Sequence, residues 1–350
     1  MSSRIYVGTK AFALRGTLLD AGTITKMVES SSLDELVNRL KGTAYTNEVS
    51  SLSPPYSARV LELALRERLA TVHHSIVKGA GKYGILELYY LKNIAWDLKL
   101  ALKAKALGKT FEETVGFLDM KAEELVGRRD LIVKVLSARD ITEAVAALSG
   151  TEFHADVETA LSGYSTRHEL KFFDLYIDHA VLSAISREYS LNSKTYTTKA
   201  ADANGVKEIV SLDVDGYNAL SVLRAKLWGL SGTEILDLII RPTRRLSGNI
   251  LSSMAGADST SEAVKLLEPV YGIRPQGVEG DEDAVDKVED DFSQMMRRTS
   301  SLAFVWQGLG PGATLALIKL LEIEVGNLAA IAIGVEAGVE PKKILSKLVI

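Results

Sequence analysis

Five histidines stand at His73, His74, His154, His168 and His179, and the chain has no cysteine. Without cysteine there is no disulfide framework, no thiolate zinc site, no iron–sulfur cluster and no cysteine nucleophile. A histidine metal site needs its ligands on one face, as in H-E-x-x-H, and no such spacing occurs. His73 and His74 are adjacent, so on a helix their rings point apart. The stretch Gly308-Leu-Gly310-Pro311-Gly312-Ala-Thr314 has the glycine density of a phosphate loop. It lacks the closing Gly-Lys-Ser/Thr and a preceding strand, and reads as a turn between helices. The acidic run 280–291 puts Asp286 where an EF-hand loop starting at Asp281 requires glycine. It reads as a solvated acidic helix start. The expectation is a chain with no catalytic residue, no metal and no cofactor.

Charged groups are the remaining candidates. Asp213 and Asp215 recur as Glu322 and Glu324, with Lys92 and Ile94 at the corresponding places of a first copy described below. Paired carboxylates can do acid–base work, but here no histidine accompanies them, so surface or intrachain pairing is expected. Lys103 and Lys105 recur as Arg224 and Lys226 and become Ile333 and Val335 in a third copy. These four cations are the candidate partner contacts, against the plainer reading of a solvated helix face. Arg241, Arg244 and Arg245, and Arg297 and Arg298, have no aromatic residues interleaved for stacking on bases. With 41 basic and 45 acidic residues, the net charge of −4 has the wrong sign for a nucleic-acid coat. No nucleic acid is expected as a partner.

The elements that must carry these groups are helices. Apolar residues fall at three- and four-residue spacing, as in Val60, Leu61, Ala64, Leu65 and Leu69, and in Phe172, Phe173, Tyr176, Ala180 and Val181. Strand alternation is poor throughout, so the fold class read here is all-α. Three stretches then repeat one plan, beginning at Asn93, Val214 and Ile323. With Asp97, Asn218 and Asn327 in register, each copy has a glycine eleven residues later: Gly108, Gly229 and Gly338. Two residues further come Thr110, Ser231 and Glu340. The first two open capping boxes with Glu113 and Glu234, and the third places Pro341 at the first helical position. Each copy therefore predicts a helix stopped by glycine, a short turn and a newly capped helix.

A second motif keeps the same order. Glu35-Leu-Val-x-x-Leu40-x-x-Thr43-x-Tyr45 resembles Glu143-Ala-Val-x-x-Leu148-x-x-Thr151-x-Phe153. A third version runs Glu262-Ala-Val-x-x-Leu267, with Tyr271 displaced by one position. From each glutamate to the Asp or Asn of the following hairpin the distances are 62, 75 and 65 residues. The chain is thus divided into three divergent helical units, 1–125, 126–240 and 241–350. The N-terminus lacks the apolar block of a secretory signal, which predicts a cytoplasmic chain. Residues 299–318 carry no charge, but the Gly-Pro-Gly cluster would leave backbone groups unpaired in lipid. No membrane span is expected.

These residues resemble the C subunit of archaeal-type rotary ATPases, the counterpart of the d subunit of vacuolar ATPases. The likeness is clearest at Arg15-Gly-Thr-Leu-Leu19, at Ala104-Lys105-Ala-Leu-Gly108 and at Glu322-Ile-Glu324-Val-Gly-Asn327-Leu328. It departs at Ala329-Ala330, where a basic residue is expected after Asn-Leu, and at Asp97, where asparagine is. The resemblance implies a funnel of three units with pseudo-threefold symmetry, on the rotor axis. It implies a non-catalytic, peripheral subunit of a proton- or sodium-translocating complex, at the cytoplasmic face of the membrane. Its partners would be the central-stalk subunits and the membrane proteolipid ring, between which it transmits torque. The alternative is a helical-repeat scaffold or adaptor unrelated to rotary ATPases.

Overall fold

The structure is a computed structural model that describes residues 3–81, 84–196, 200–275, 280–306 and 309–350. The described residues form helices and no strand, as the apolar spacing predicts. The chain opens with α1 (Ser3–Arg15), α2 (Ala21–Val28), α3 (Leu33–Leu40) and α4 (Thr46–Ser50). A long pair follows, α5 (Ala58–Ala80) and α6 (Gly84–Ala106). Five shorter helices come next: α7 (Phe111–Val115), α8 (Lys121–Leu125), α9 (Arg129–Ser137), α10 (Ile141–Ala146) and α11 (His154–Arg167). They lead to a second long pair, α12 (Lys171–Tyr196) and α13 (Ala200–Leu227). Then come α14 (Gly232–Asp237), α15 (Gly248–Gly256), α16 (Thr260–Lys265) and α17 (Glu268–Tyr271). The third long pair is α18 (Asp281–Trp306) and α19 (Pro311–Glu336), and α20 (Pro341–Leu345) ends the chain.

The long helices pack in a closed cycle. Helix α5 lies on α6 and α19, α12 on α6 and α13, and α18 on α13 and α19. The third pair shows the burial patterns behind this. Helix α18 buries Val285, Val288, Phe292 and Met296 at three- and four-residue spacing and keeps its carboxylates outside. Helix α19 instead buries residues around its whole circumference, among them Leu315, Leu317, Leu321, Val325 and Leu328. Such a helix must be covered on several sides, and α5, α13 and α18 all pack on it.

The three predicted turns are one structure made three times. Gly108, Gly229 and Gly338 have φ of 70°, 66° and 65°, the left-handed region that a side chain disfavours. The amides after them, of Lys109, Leu230 and Val339, donate to Ala104, Ala225 and Gly334 at 2.9, 3.0 and 2.9 Å. That is the six-to-one bond of a Schellman stop. Both capping boxes form, Thr110 with Glu113 and Ser231 with Glu234, and Pro341 is the first residue of α20. The second helices are short, five, six and five residues long.

The glutamates of the second motif also cap. Glu35, Glu143 and Glu262 accept the amides of Ser31, Arg139 and Asp258 at 2.8, 2.8 and 3.2 Å. The backbone amides donated to Glu35 and Glu143 hold both carboxyls below their ordinary range, Glu35 at about 2. The acidic run beginning at Gly280 supplies the first turn of α18, where carboxylates suit the helix dipole. In the glycine-rich stretch, Gly308 lies outside the described residues, as does Gln307. Gly310 caps α19 and Pro311 starts it. Among the described residues, no helix is long and apolar enough to cross a membrane.

Candidate functional site

The residues that set the repeat register, Asp97, Asn218 and Asn327, each reach back over their own hairpin. Asn218 Oδ1 accepts the Ile240 amide at 2.8 Å while its Nδ2 donates to the Ile240 carbonyl at 3.3 Å. Asn327 does the same with Val349, at 2.9 Å both ways. Asp97 Oδ2 accepts the Met120 amide at 3.3 Å and has no N–H to return. A side-chain amide here replaces a strand partner: it satisfies both polar groups of a buried peptide. All three residues are buried.

Five positions before each clamp stand Lys92, Asp213 and Glu322, and they meet. Lys319 Nζ lies 2.9 Å from Asp213 and 2.9 Å from Glu322, and Lys92 Nζ lies 3.4 Å from Asp213. The Tyr89 hydroxyl donates to Asp213 at 2.6 Å, and the Lys319 ammonium sits 4.8 Å from the Tyr89 ring centre. Two cations face two anions, so the cluster is neutral. Burial pushes the Asp213 carboxyl up, but Lys319 and Lys92 with the Tyr89 hydroxyl more than offset it and hold it below its ordinary range. The cluster joins α6, α13 and α19 and floors a cavity of about 380 Å³, which Arg224 and Glu289 also line. Its chemistry is that of a charged anchor.

Two residues further along, the carboxylates serve the core. Asp215 Oδ2 accepts the amides of Arg245 and Leu246 at 2.8 and 3.2 Å and the Tyr271 hydroxyl at 2.6 Å. Glu324 accepts the Tyr45 hydroxyl at 2.8 Å and the Leu19 amide at 2.5 Å. The corresponding first-copy residue is Ile94, and the corresponding motif aromatic is Phe153, both fully buried. The recurring carboxylates are therefore intrachain partners. Each motif tyrosine serves the hairpin of the preceding copy, and Tyr45, with none before it, serves the last.

The four candidate contact cations occupy matching ends of α6 and α13. Lys103 pairs with Asp174 at 2.8 Å and Arg224 with Glu289 at 2.6 Å. Lys105 Nζ donates to the Ala138 carbonyl at 2.8 Å, at the end of α9. Lys226 Nζ donates to the carbonyls of Ala255 and Ala257 at 3.1 and 2.5 Å, at the end of α15. Cations are favoured at such helix C-termini. Val335 and Ile333 hold these places in the third copy, and Ile333 is exposed.

Sequence reasoning missed Lys319 because it sits within an apolar run. The available signal was the column Lys92, Asp213 and Glu322, unlike charges at one register position. It also missed a relay in which His179 Nδ1 lies 2.6 Å from Asp156 and its Nε2 3.3 Å from Ser183 Oγ. These three types in this order suggest acyl transfer, but Ser183 is inside α12, where backbone amides already serve the helix ladder. Among the described residues no oxyanion donors converge there, so the relay braces α11 against α12. His73 is buried with Nε2 on the Leu86 carbonyl at 3.0 Å, and burial lowers it to about 4. Among the described residues no His, Asp or Glu group is arranged to hold a metal ion.

Of the arginine clusters, Arg244 bonds Ser186 and Ser190 of α12 at 2.9 and 3.1 Å, and Arg245 pairs with Glu208 of α13. Arg297 and Arg298 line an open cleft of about 820 Å³ between α17 and α18.

Residues 7–347 match the family model of the ATP synthase (C/AC39) subunit. The C subunit of the A-type ATP synthase of Methanocaldococcus jannaschii is 25% identical, covering 98% of this chain and 86% of its own length. The protein of that name from Haloferax volcanii is 27% identical over 99% of this chain and 97% of its own. That of Methanothermobacter thermautotrophicus is 26% identical over 93% and 82%. With nearly every described helix inside the matched span, the chain belongs to the ATP synthase (C/AC39) subunit family.

Proposed function

We propose that this protein is a non-catalytic central-rotor subunit of an A-type ATP synthase, joining the central stalk to the membrane proteolipid ring and carrying torque between them. What carries the reading is the family match over residues 7–347. The geometry supports it through the junction of Lys92, Asp213, Glu322 and Lys319, where repeat-equivalent side chains of three helices converge. Such convergence is what three units, 1–125, 126–240 and 241–350, arranged about a pseudo-threefold axis would give. The buried anchor resists shear between those helices, which a torque-bearing part requires.

In this reading the protein sits peripherally on the cytoplasmic face and is held by protein contacts. Lys103 and Arg224, partly exposed at the ends of α6 and α13, are the proposed stalk-facing charges, with Lys105 and Lys226 holding the local backbone. The test is a pull-down of the tagged chain from native membranes in mild detergent. Recovery of proteolipid together with stalk subunits is expected. Recovery of neither, from membranes that retain an intact ATP synthase, overturns the proposal.

A further inference from the structure

The first clamp differs from the other two by one atom. Asn218 and Asn327 each accept one hydrogen bond and donate one. Asp97 accepts the Met120 amide and has nothing to donate. Within hydrogen-bonding reach of its carboxyl is Glu123 of α8, fully buried. Asp97 Oδ1 and both Glu123 carboxyl oxygens are buried without a well-formed hydrogen bond, the amides of Asp119 and Glu123 only lowering the two carboxyls against a larger burial penalty. As two carboxylates they would repel one another out of water, which buried groups do not tolerate uncompensated.

The nearby cations have other partners. Arg59 pairs with Glu62 at 3.1 Å and donates to the Phe117 carbonyl, and Arg66 pairs with Glu62 at 2.8 Å. Both guanidiniums stack on Trp96, at 4.5 and 4.0 Å from its centre. Arg128 forks onto Glu152 at 2.5 and 2.7 Å, and Lys121 faces Glu67 at 3.9 Å. Asp119 and Glu124 add negative charge, and the Tyr90 hydroxyl donates to the Ala122 carbonyl at 2.9 Å. The charges of Arg59 and Arg128 are felt by Asp97 and Glu123, and Arg59 Nε is buried without a partner. Yet among the described residues no cation makes an ion pair with either carboxyl, and both stay raised; a shared proton neutralises the pair directly.

We propose that Asp97 and Glu123 form a proton-binding site, and that one shared proton closes the first hairpin where a side-chain amide closes the second and third. The acid O–H of one carboxyl then donates to the other, supplying the donor that aspartate lacks. Burial lifts Asp97 to about 6, and burial with the Asp97 charge lifts Glu123 to about 8. Burial with the charges of Glu67 and Asp97 lifts the neighbouring Asp119 to about 7. Groups that titrate higher in the folded chain give stability at low pH, and it is lost as pH rises through their folded values. The loss falls between about pH 6 and pH 8, on the segment that contains α7 and α8.

The test uses the full chain, Asp97→Asn and Glu123→Gln, with urea unfolding and exchange of the Met120 amide followed from pH 6 to pH 9. Between the two titrations, from about pH 6 to pH 8, the wild-type unfolding constant should rise by up to about tenfold per pH unit, one proton's worth, and level off above them. Both variants, whose amide donates permanently, should show that rise flattened. Difference infrared spectra should show a carboxylic-acid C=O band at pH 6 that fades by pH 9 and is weaker in Asp97→Asn, where the Asp119 contribution remains. The same pH dependence in wild type and both variants would overturn the site. So would the absence of a carboxylic-acid band in the wild type at pH 6, which decides the matter even if neither variant folds.

Discussion

The Tyr45 hydroxyl donates to Glu324 Oε1 at 2.8 Å, joining residues 279 positions apart in the chain. Tyr271 and Asp215 make the same bond at 2.6 Å. Phe153 and Ile94 stand at the third pair of positions with neither hydroxyl nor carboxylate. Tyrosine with an acid, or phenylalanine with an aliphatic residue, are the two consistent ways to fill a buried site; a mixed pair strands a polar atom.

Tyr45→Phe alone should therefore cost about 1–3 kcal/mol, because Glu324 keeps only the Leu19 amide. Burial already raises the Glu324 carboxyl, so losing a donor aggravates an existing penalty. Tyr45→Phe with Glu324→Ile recreates the Phe153 and Ile94 combination. Urea unfolding of both single variants and the double should give a coupling above about 1 kcal/mol, with the double better than the sum. Strict additivity would show that the two side chains do not communicate.

Lys319→Met should be a damaging single change, at up to about 3 kcal/mol, because it removes a buried ammonium and leaves the partly buried Asp213 and Glu322 with one cation fewer. The pH profile should change as well. Asp213 titrates below its ordinary value in the folded chain, so it gives stability above that value, lost as pH falls through the folded one. Without Lys319 that acid-side loss should shrink. A variant as stable as wild type, with the same acid limb, would remove the junction from the framework.

The helices, the three glycine stops and the capped restarts were legible because each depends on a few neighbouring residues: Gly108 with Thr110 and Glu113, Gly229 with Ser231 and Glu234. The register was legible too, and it located Asp97, Asn218 and Asn327. What those residues do was not, since their partners at Met120, Ile240 and Val349 are backbone groups that any residue type supplies. The cyclic offset, Tyr45 to Glu324 and Tyr271 to Asp215, was hidden for a different reason. Chain order places each motif before its hairpin, while packing places it on the preceding one. Lys103, Lys105, Arg224 and Lys226 were visible as charges, but their pairing with Asp174, Glu289 and helix ends needed the third dimension.

Asn218→Leu should cost about 2–4 kcal/mol, since it leaves both the Ile240 amide and carbonyl buried without partners. Asn327→Leu should behave alike at Val349. Asn218→Asp is more informative, because a protonated acid can still donate and a carboxylate cannot. Its stability relative to wild type should therefore worsen from pH 5 to pH 8. A pH-independent deficit would mean that the carbonyl bond at 3.3 Å contributes nothing.

The proposed stalk contact of Lys103 and Arg224 must be separated from their intrachain pairing. Lys103→Glu with Arg224→Glu sets like charges against Asp174 and Glu289, and each loss is small because the pairs are partly exposed. Adding Asp174→Lys and Glu289→Lys restores opposite charges in reversed order. If the cations only tie α6 to α12 and α13 to α18, the fourfold variant should bind stalk subunits as wild type does. If they face the stalk, it should refold fully yet still bind weakly, with the defect shrinking at high salt. Third-copy Ile333 offers no charge, so the surface presented would be lopsided, as an asymmetric shaft requires. Surface plasmon resonance with purified stalk subunits at two ionic strengths separates the cases, and wild-type affinity in the fourfold variant at low salt would assign these cations to the fold alone.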